Sequence, residues 1–321
     1  MSESMRIDNG RGKQFVRHVL LSNAVLFVLL GLLAFNILFT KNFASINILW
    51  LLIRQSASIM CVAMGMSFVV ATGNIDISVG PAMALAAVVC VQIEQASGSY
   101  LYGALGALGA CLLCGAFNGI LVSVFKIQSM IATLITQMVF RAAAQLVSAW
   151  VITIKGETVR FLGLHAIGGL VPIQVVPVVV LALLVWFLLK KTIFGKRLEA
   201  VGCNQRAARI SGINTIGIMM VGYMLCSFCA GLGGLMELFR SAACDTSTFG
   251  NNYEINAIAA IAIGGTAMNG GNTRIMGTIY GVLIMQIITM MINMNNINYN
   301  YGNIIKCIII IIAIYVQNRK K

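Results

Sequence analysis

The sequence predicts an all-α, polytopic membrane protein with about ten transmembrane helices. Three observations carry that expectation. Hydrophobic residues make up 59% of the chain and charged residues only 10%, whereas a soluble domain carries roughly a quarter charged residues. Apolar runs of about 20 residues, the length that crosses a bilayer, recur from end to end. The positive residues behind a formal net charge of +13 sit in short gaps between those runs. That placement excludes the polar basic face of a nucleic-acid binder and follows the positive-inside pattern.

The elements follow in chain order. Residues 1–18 form a polar tail carrying Arg6, Arg11, Lys13 and Arg17. The first run, 19–39, is long for a signal-peptide core and lacks a small-residue cleavage site, so it reads as a retained span. Further spans are expected at 48–71, 78–95, 101–124, 130–153, 174–190, 215–238, 254–270, 276–293 and 303–317. The transmembrane domain therefore covers 19–317, and 318–321 is a short basic tail. The segments 78–95 and 254–270 are short and rich in Gly and Ala, and read as short or re-entrant. With the N-terminus inside, the cytoplasmic segments hold 15 of the 22 Lys and Arg residues. The external loops hold Lys41, Lys155, Arg160 and Arg240, while Arg54, Arg141 and Lys306 fall inside spans. This asymmetry places both termini in the cytoplasm and requires an even number of crossings. Ten crossings divide into two five-helix halves of inverted topology. Each half holds a glycine-broken stretch, Gly73–Gly80 and Gly264–Gly271, though not at the same place.

Three stretches carry chemistry. The longest internal loop, 191–214, is basic, and Lys196–Ile210 reads as a short amphipathic helix. Leu198, Val201, Ala208 and Ile210 form its apolar face, and Lys196, Arg197, Glu199, Gln205, Arg206 and Arg209 its polar one. Gly212 is a fitting stop. Such a segment is either a docking helix for a cytoplasmic partner or a solvated loop that orients the protein. In 71–88, Asn74 and Asp76 lie at the membrane boundary, Ser78 suits a helix cap and Pro81 its first turn. An ionisable residue at that depth points to function, unless Asp76 only ties the cap to backbone amides. In 251–271, Glu254 opens an apolar segment, where an acid favours the positive end of the helix dipole. Gly264, Gly265, Gly270 and Gly271 allow close approach or unwound backbone.

Several chemistries are excluded. No phosphate-binding Gly-Lys-Ser/Thr loop occurs, and Gly195–Lys196 is followed by Arg197. There is no His-Glu-x-x-His and no Gly-x-Ser-x-Gly, so neither a catalytic residue nor a metal ligand is expected. Most of the nine cysteines, including the pairs Cys111/Cys114 and Cys226/Cys229, lie within apolar runs and read as small buried hydrophobes.

Taken together, Gly73–Gly80 (GNIDISVG), Gly195–Asn214 (GKRLEAVGCNQRAARISGIN) and Tyr253–Ile284 resemble the permease subunits of bacterial monosaccharide ABC importers, the ribose, xylose, arabinose and galactoside group. The likeness spans nearly the whole chain, with three motifs in the same order. It departs at Asn272, where relatives often carry Gly or Lys, and in the Asn-rich run 293–303. The resemblance implies a non-catalytic transport subunit of the bacterial inner membrane. It would pair with itself or a second permease and receive a sugar from a periplasmic or lipid-anchored binding protein. A separate cytoplasmic ATPase would bind ATP and Mg, with no cofactor on this chain. The segment matching the ATPase-coupling motif contains Gly195, Lys196, Arg197, Glu199, Ala200, Gly202, Asn204, Arg206, Ala207, Arg209 and Gly212. Polar residues suited to transient contact with a neutral sugar are Asn74, Asp76, Asn118, Gln137, Gln145, Glu254 and Asn256, each of which also suits a hydrogen bond between helices. Competing readings are an importer for branched-chain amino acids, nucleosides or another small polar solute, and a stand-alone ion-coupled transporter. The latter expects an acid deep in a span, and the sequence reading places only Arg141 there.

Overall fold

A computed structural model describes residues 24–148, 151–168 and 171–318. The tail 1–18 and the residues 319–321 of the closing tail lie outside them. Helices stand at each of the ten expected runs: α1 (Ala24–Phe39), α2 (Ile46–Ala71), α3 (Val79–Ser97), α4 (Tyr100–Ser123), α5 (Ser129–Val147), α7 (Val175–Lys191), α10 (Thr215–Ser241), α11 (Tyr253–Ile263), α12 (Ile275–Met294) and α13 (Tyr299–Asn318). Between them lie α6 (Glu157–Leu164), α8 (Ile193–Cys203), α9 (Gln205–Ile210) and four two-residue strands: β1 (Ile152–Thr153), β2 (Ala166–Ile167), β3 (Val171–Pro172) and β4 (Ala243–Cys244). β1 pairs with β4 and β2 with β3, both antiparallel.

Among the described residues, length and composition qualify six of these helices as spans: α2, α3, α4, α5, α10 and α12. The bent pair α7–α8, broken by 68°, makes a seventh. The chain is thus a polytopic helical membrane protein, and the expected ten full crossings are not reached on this measure. Of the two weak segments, α3 has 19 residues and passes, whereas α11 has only 11 and does not. The two-glycine step Gly264–Gly265 ends α11 because its backbone must touch α12. A Cβ at Gly264 would lie 2.4 Å from Gly277 C. The expected span 130–153 stops at Val147, and β1 follows. The segment between 153 and 174, expected as plain loop, holds α6.

Two long helices cross at the centre. α2 packs against α10, and each also packs on the other's following pair: α10 on α3 and α4, α2 on α11 and α12. Small residues permit this. A Cβ at Gly65 would lie 2.5 Å from Cys229 Cβ, and one at Gly233 2.8 Å from Ser58 O. Close backbone approach through small residues is how helices associate in lipid, where apolar burial alone gives no preference for protein over tails. The buried core is aliphatic and sulfur-rich, and Cys61, Cys90, Cys111 and Cys226 are fully covered, as the reading of cysteine as a small hydrophobe expects.

The reciprocity has a local counterpart. Each central helix ends in an Asp-x-Ser turn. Asp76 Oδ1 accepts from Ser78 N at 2.9 Å and Ser78 Oγ at 2.7 Å. Asp245 Oδ1 accepts from Ser247 N at 3.0 Å and Ser247 Oγ at 2.5 Å. The turns feed α3 and α11, and the two helix starts meet: a Cβ at Gly80 would lie 2.4 Å from Gly250 O, and one at Gly250 2.3 Å from Gly80 O. The glycine-broken stretches that correspond are therefore 73–80 and 245–250, not 73–80 and 264–271. Ser78 occupies the cap position of α3 without a side-chain cap bond. Asp76 takes the Ser78 amide instead.

Candidate transport pathway and coupling face

One face gathers the basic residues. α7 ends in Lys190 and Lys191, the chain turns by 68°, and α8 and α9 follow. Thr192 caps α8, its Oγ1 accepting from Gly195 N at 3.2 Å. The expected single helix Lys196–Ile210 is two helices. Asn204 adopts an extended backbone, closes α8 and opens α9 by accepting from Ala207 N at 3.0 Å. Asparagine at such a break satisfies amides that a continuous helix would pair internally. Leu198, Val201 and Ala208 are buried as expected, but Ile210 is 81% exposed and does not belong to the apolar face. Gly212 lies just past α9 with φ +81°, the left-handed stop anticipated there.

On this pair Lys196, Arg197, Arg206, Ala207 and Arg209 are exposed. Glu199 accepts from Lys190 Nζ at 2.6 Å. Ala200 is half-buried, and Gly202 is pressed against the end of α2: a Cβ there would lie 1.8 Å from Ala71 O and 2.6 Å from Gly271 N. Gly271 N in turn donates to Ala71 O at 2.9 Å. The exposed members of the expected coupling set thus share one surface, Gly195 is buried against α7, and Gly202 is one of the segment's contacts with the membrane helices.

Beside α9 a cavity of about 870 Å³ opens on the same face. Asn74, Gln128, Ser129 and Asn214 line it together with Lys126, Arg206 and Arg209. Asn74 Nδ2 donates to Thr72 Oγ1 at 2.9 Å. Deeper in the chain, Asp76, Ser78 and Asn118 are each 0% exposed. Asn118 Nδ2 donates to Ser78 Oγ at 2.7 Å and lies 3.5 Å from Asp76 Oδ1. Asp76 Oδ2 and Asn118 Oδ1 have no partner, so this cluster retains acceptor capacity.

A second polar group lies at the far ends of α5 and α10. Arg141, on α5, donates to Thr246 O at 3.0 Å, Phe249 O at 2.7 Å and Asn251 Oδ1 at 2.7 Å. Its guanidinium therefore holds the whole turn between β4 and α11. Asp245, at the base of that turn, is held below the usual carboxylate range by the Ser247 hydroxyl and amide and then by Thr248. Glu254, in the first turn of α11, is buried beside Gly80, and its Oε2 has no partner. Asn256 follows on the same helix, half-buried. Gln137 sits one turn before Arg141, and its Oε1 is unpartnered. Gln145 is exposed. Among the described residues no hydrogen bond joins the side chains of Gln137, Gln145 or Asn256 to Asp76 and Asn118, so the expected solute-contact residues divide into two groups.

Sequence reasoning missed Ser78 as the centre of the buried cluster and Arg141 as a clamp. The signal for Arg141 was a lone cation in an apolar run. It also overlooked an acid: Glu237 lies within α10, pairs with Arg240 three residues on and accepts from Ser58 Oγ at 3.2 Å. Paired near a helix end, it is a structural ion pair rather than a free acid for ion coupling.

Fold and site together define a multi-pass membrane permease with a basic surface on one face. A family described as "Branched-chain amino acid transport system / permease component" matches residues 48–314. The chain belongs to that family of ABC-importer permeases, non-catalytic transport subunits that operate with an ATPase and a substrate-binding protein. It is 32% identical over 315 residues to the ribose import permease of Escherichia coli K12, covering 96% of this chain and 97% of the relative. It is 33% identical over 270 residues to the galactofuranose transporter permease of the same strain, covering 84% and 79%. Identity to the ribose import permease of Bacillus subtilis is 34% over 286 residues, covering 86% and 85%. No solved structure matches the chain.

Proposed function

We propose that this chain translocates a monosaccharide into the cytoplasm by alternating access, as one of two permeases in an inner-membrane importer. The observation that carries the reading is near-full-length similarity to permeases named for ribose, galactofuranose and, at 31% identity over 298 residues, fructose. A neutral, hydroxyl-rich solute suits a pathway of dispersed amides and hydroxyls with acceptor capacity to spare, such as Asn74, Asp76 and Asn118. The exposed cations of α8 and α9 rest on the ATPase, whose closure moves α2 through Gly202. Both termini face the cytoplasm, the ten helices form two inverted five-helix halves, and α11 is the re-entrant member. A homodimer or a heterodimer completes the pathway, and a periplasmic or lipid-anchored protein delivers the sugar. A second reading, import of branched-chain amino acids, has the family description in its favour.

The test is uptake of labelled ribose, galactofuranose, fructose and leucine by cells in which this chain and its neighbouring subunits are deleted and then restored. Restored, ATP-dependent uptake of one sugar is expected. Restoration of leucine uptake alone would overturn the sugar assignment.

A further inference from the structure

At the basic face, the start of α12 opens into a cavity of about 500 Å³ shared with α1 and α7. That is within the size range of small-ligand sites. Its lining mixes apolar Val25, Leu26 and Trp186 with Lys190, Thr273 and Arg274. We propose that this cavity binds a phosphate group, carried by an anionic phospholipid of the adjoining leaflet. The inference lies beyond the transported solute and does not depend on its identity.

Three observations converge on a phosphate. α12 is 20 residues long, and the side chain of its cap residue Arg274 makes no cap bond. The Arg274 amide donates to Thr266 Oγ1 at 2.9 Å, and no side chain among the described residues takes the amides of Ile275, Met276 and Gly277. A helix N-terminus of this kind offers N–H donors and a positive dipole end to an anion. Immediately before it, Thr273 is 1% exposed, and its Oγ1 has no hydrogen-bond partner. A buried hydroxyl without a partner is costly, and a phosphate oxygen is an acceptor it lacks. Beside it, the Arg274 guanidinium makes no hydrogen bond or ion pair among the described residues. Lys190 contributes less, because its ammonium is already held by Glu199 Oε1 at 2.6 Å and Asn272 Oδ1 at 2.5 Å. Among the described residues Glu199 is the one acid at the rim, and no carboxylate lines the cavity itself.

The apolar half of the cavity selects the source. Trp186 and Met276 are 40% and 62% exposed and stand on the outer surface of α7 and α12. Lys191 lies 5.5 Å over the Trp186 ring, the amphipathic pairing that marks a membrane interface. A free phosphate gains nothing from Val25, Leu26 and Trp186, whereas the glycerol and first methylenes of a lipid pack on them. Basic pockets between spanning helices on the cytoplasmic side recognise acidic headgroups in this way.

The full chain, purified in detergent, is titrated with phosphatidylglycerol, with phosphatidylcholine and, separately, with inorganic phosphate. Retained lipid is read by native mass spectrometry and stabilisation by thermal melting. Preferential retention of phosphatidylglycerol is expected, weakened about fivefold in Arg274→Gln, the worth of one interfacial cation. It falls further in Arg274→Gln with Thr273→Val, while Thr273→Ser retains it. Inorganic phosphate alone is expected to give no shift. Stabilisation by phosphate with none by phosphatidylglycerol would overturn the lipid source. Equal phosphatidylglycerol retention by the wild type and Arg274→Gln, a substitution at an exposed position that leaves folding intact, would overturn the site itself.

Discussion

Three side chains form the deepest polar group of the chain's inner half. Asp76, Ser78 and Asn118 are buried where water does not reach, and Asn118 bridges α4 to the turn between α2 and α3. Truncation by Asn118→Ala removes the donor to Ser78 Oγ and its weak contact with Asp76. Hydrogen bonds between membrane helices are worth about 1 kcal/mol, so the melting temperature in detergent should fall modestly. In the proposed alternating-access cycle the helices part and uncover the cluster's unpartnered acceptors, so sugar uptake should fall more than stability. Asn118→Asp removes the same donor and sets a second buried carboxyl beside Asp76, so it should lose at least as much uptake as Asn118→Ala. Equal activity of all three forms would show that the cluster only ties helices together. Gly202 makes a sharper case. A Cβ at this position overlaps Ala71 O, and overpacking of this kind costs about 1–3 kcal/mol. Gly202→Ala should therefore shift α8 away from α2. ATPase activity would then survive while uptake is lost, which paired assays on vesicles would read.

At the scale of elements, the turn between β4 and α11 is held by one residue from another helix. Arg141 reaches two carbonyls and an amide oxygen through the fixed fork of its guanidinium. Lysine presents a single point of donation and does not reproduce that fork. Arg141→Lys should cost about 2–4 kcal/mol, at 1.5–3 kcal/mol for each charged hydrogen bond lost and part of it regained. Hydrogen exchange in 245–251 should rise well before global unfolding. The same turn has a defined pH window. Because its Ser and Thr donors depress the Asp245 carboxyl, that group stabilises the folded turn above the ordinary carboxylate pKa of about 3.9. The contribution is lost as pH falls through the lower folded value. Exchange protection of the turn should stay flat from neutral pH to about 5 and decline only in stronger acid, and Asp245→Asn should abolish that decline. The elements also show what the sequence disclosed. Ten apolar runs each became a helix, because hydrophobic length is a strong local signal. The break between α8 and α9 was missed: the apolar spacing of Leu198, Val201 and Ala208 suits one continuous helix, and the cap bond of Asn204 that divides it was not anticipated. The paired Asp-x-Ser turns were legible in principle and hidden by spacing: Gly80 follows Ser78 by two residues, whereas Gly250 follows Ser247 by three.

For the whole molecule, the basic face was the most legible feature, since a count of Lys and Arg between apolar runs needs no structure. The division of the polar residues into an inner cluster and an outer clamp was not, because it depends on Arg141 of α5 reaching the turn before α11 across a hundred residues of chain. The same distribution of charge sets the last prediction. Lys196, Arg197, Arg206 and Arg209 are all exposed on α8 and α9, and none of them forms an ion pair among the described residues. In a single chain such charges repel one another and gain little, but against an acidic partner they steer association and fix its register. Replacing Arg206 and Arg209 together by Glu leaves every buried contact of α9 in place, since Ala208 supplies its packing. The variant should therefore insert and accumulate like the wild type, yet fail to co-purify an ATPase and fail to import. Lysine at both positions keeps the charge and should retain both properties. If the Glu variant still captured its ATPase at the same salt concentration, the docking face would have to lie elsewhere. The positive charge of α8 and α9 would then serve only to set orientation in the bilayer. Failure of the Glu variant to accumulate would likewise implicate insertion rather than coupling, so membrane abundance and ATPase recovery are measured on the same preparations.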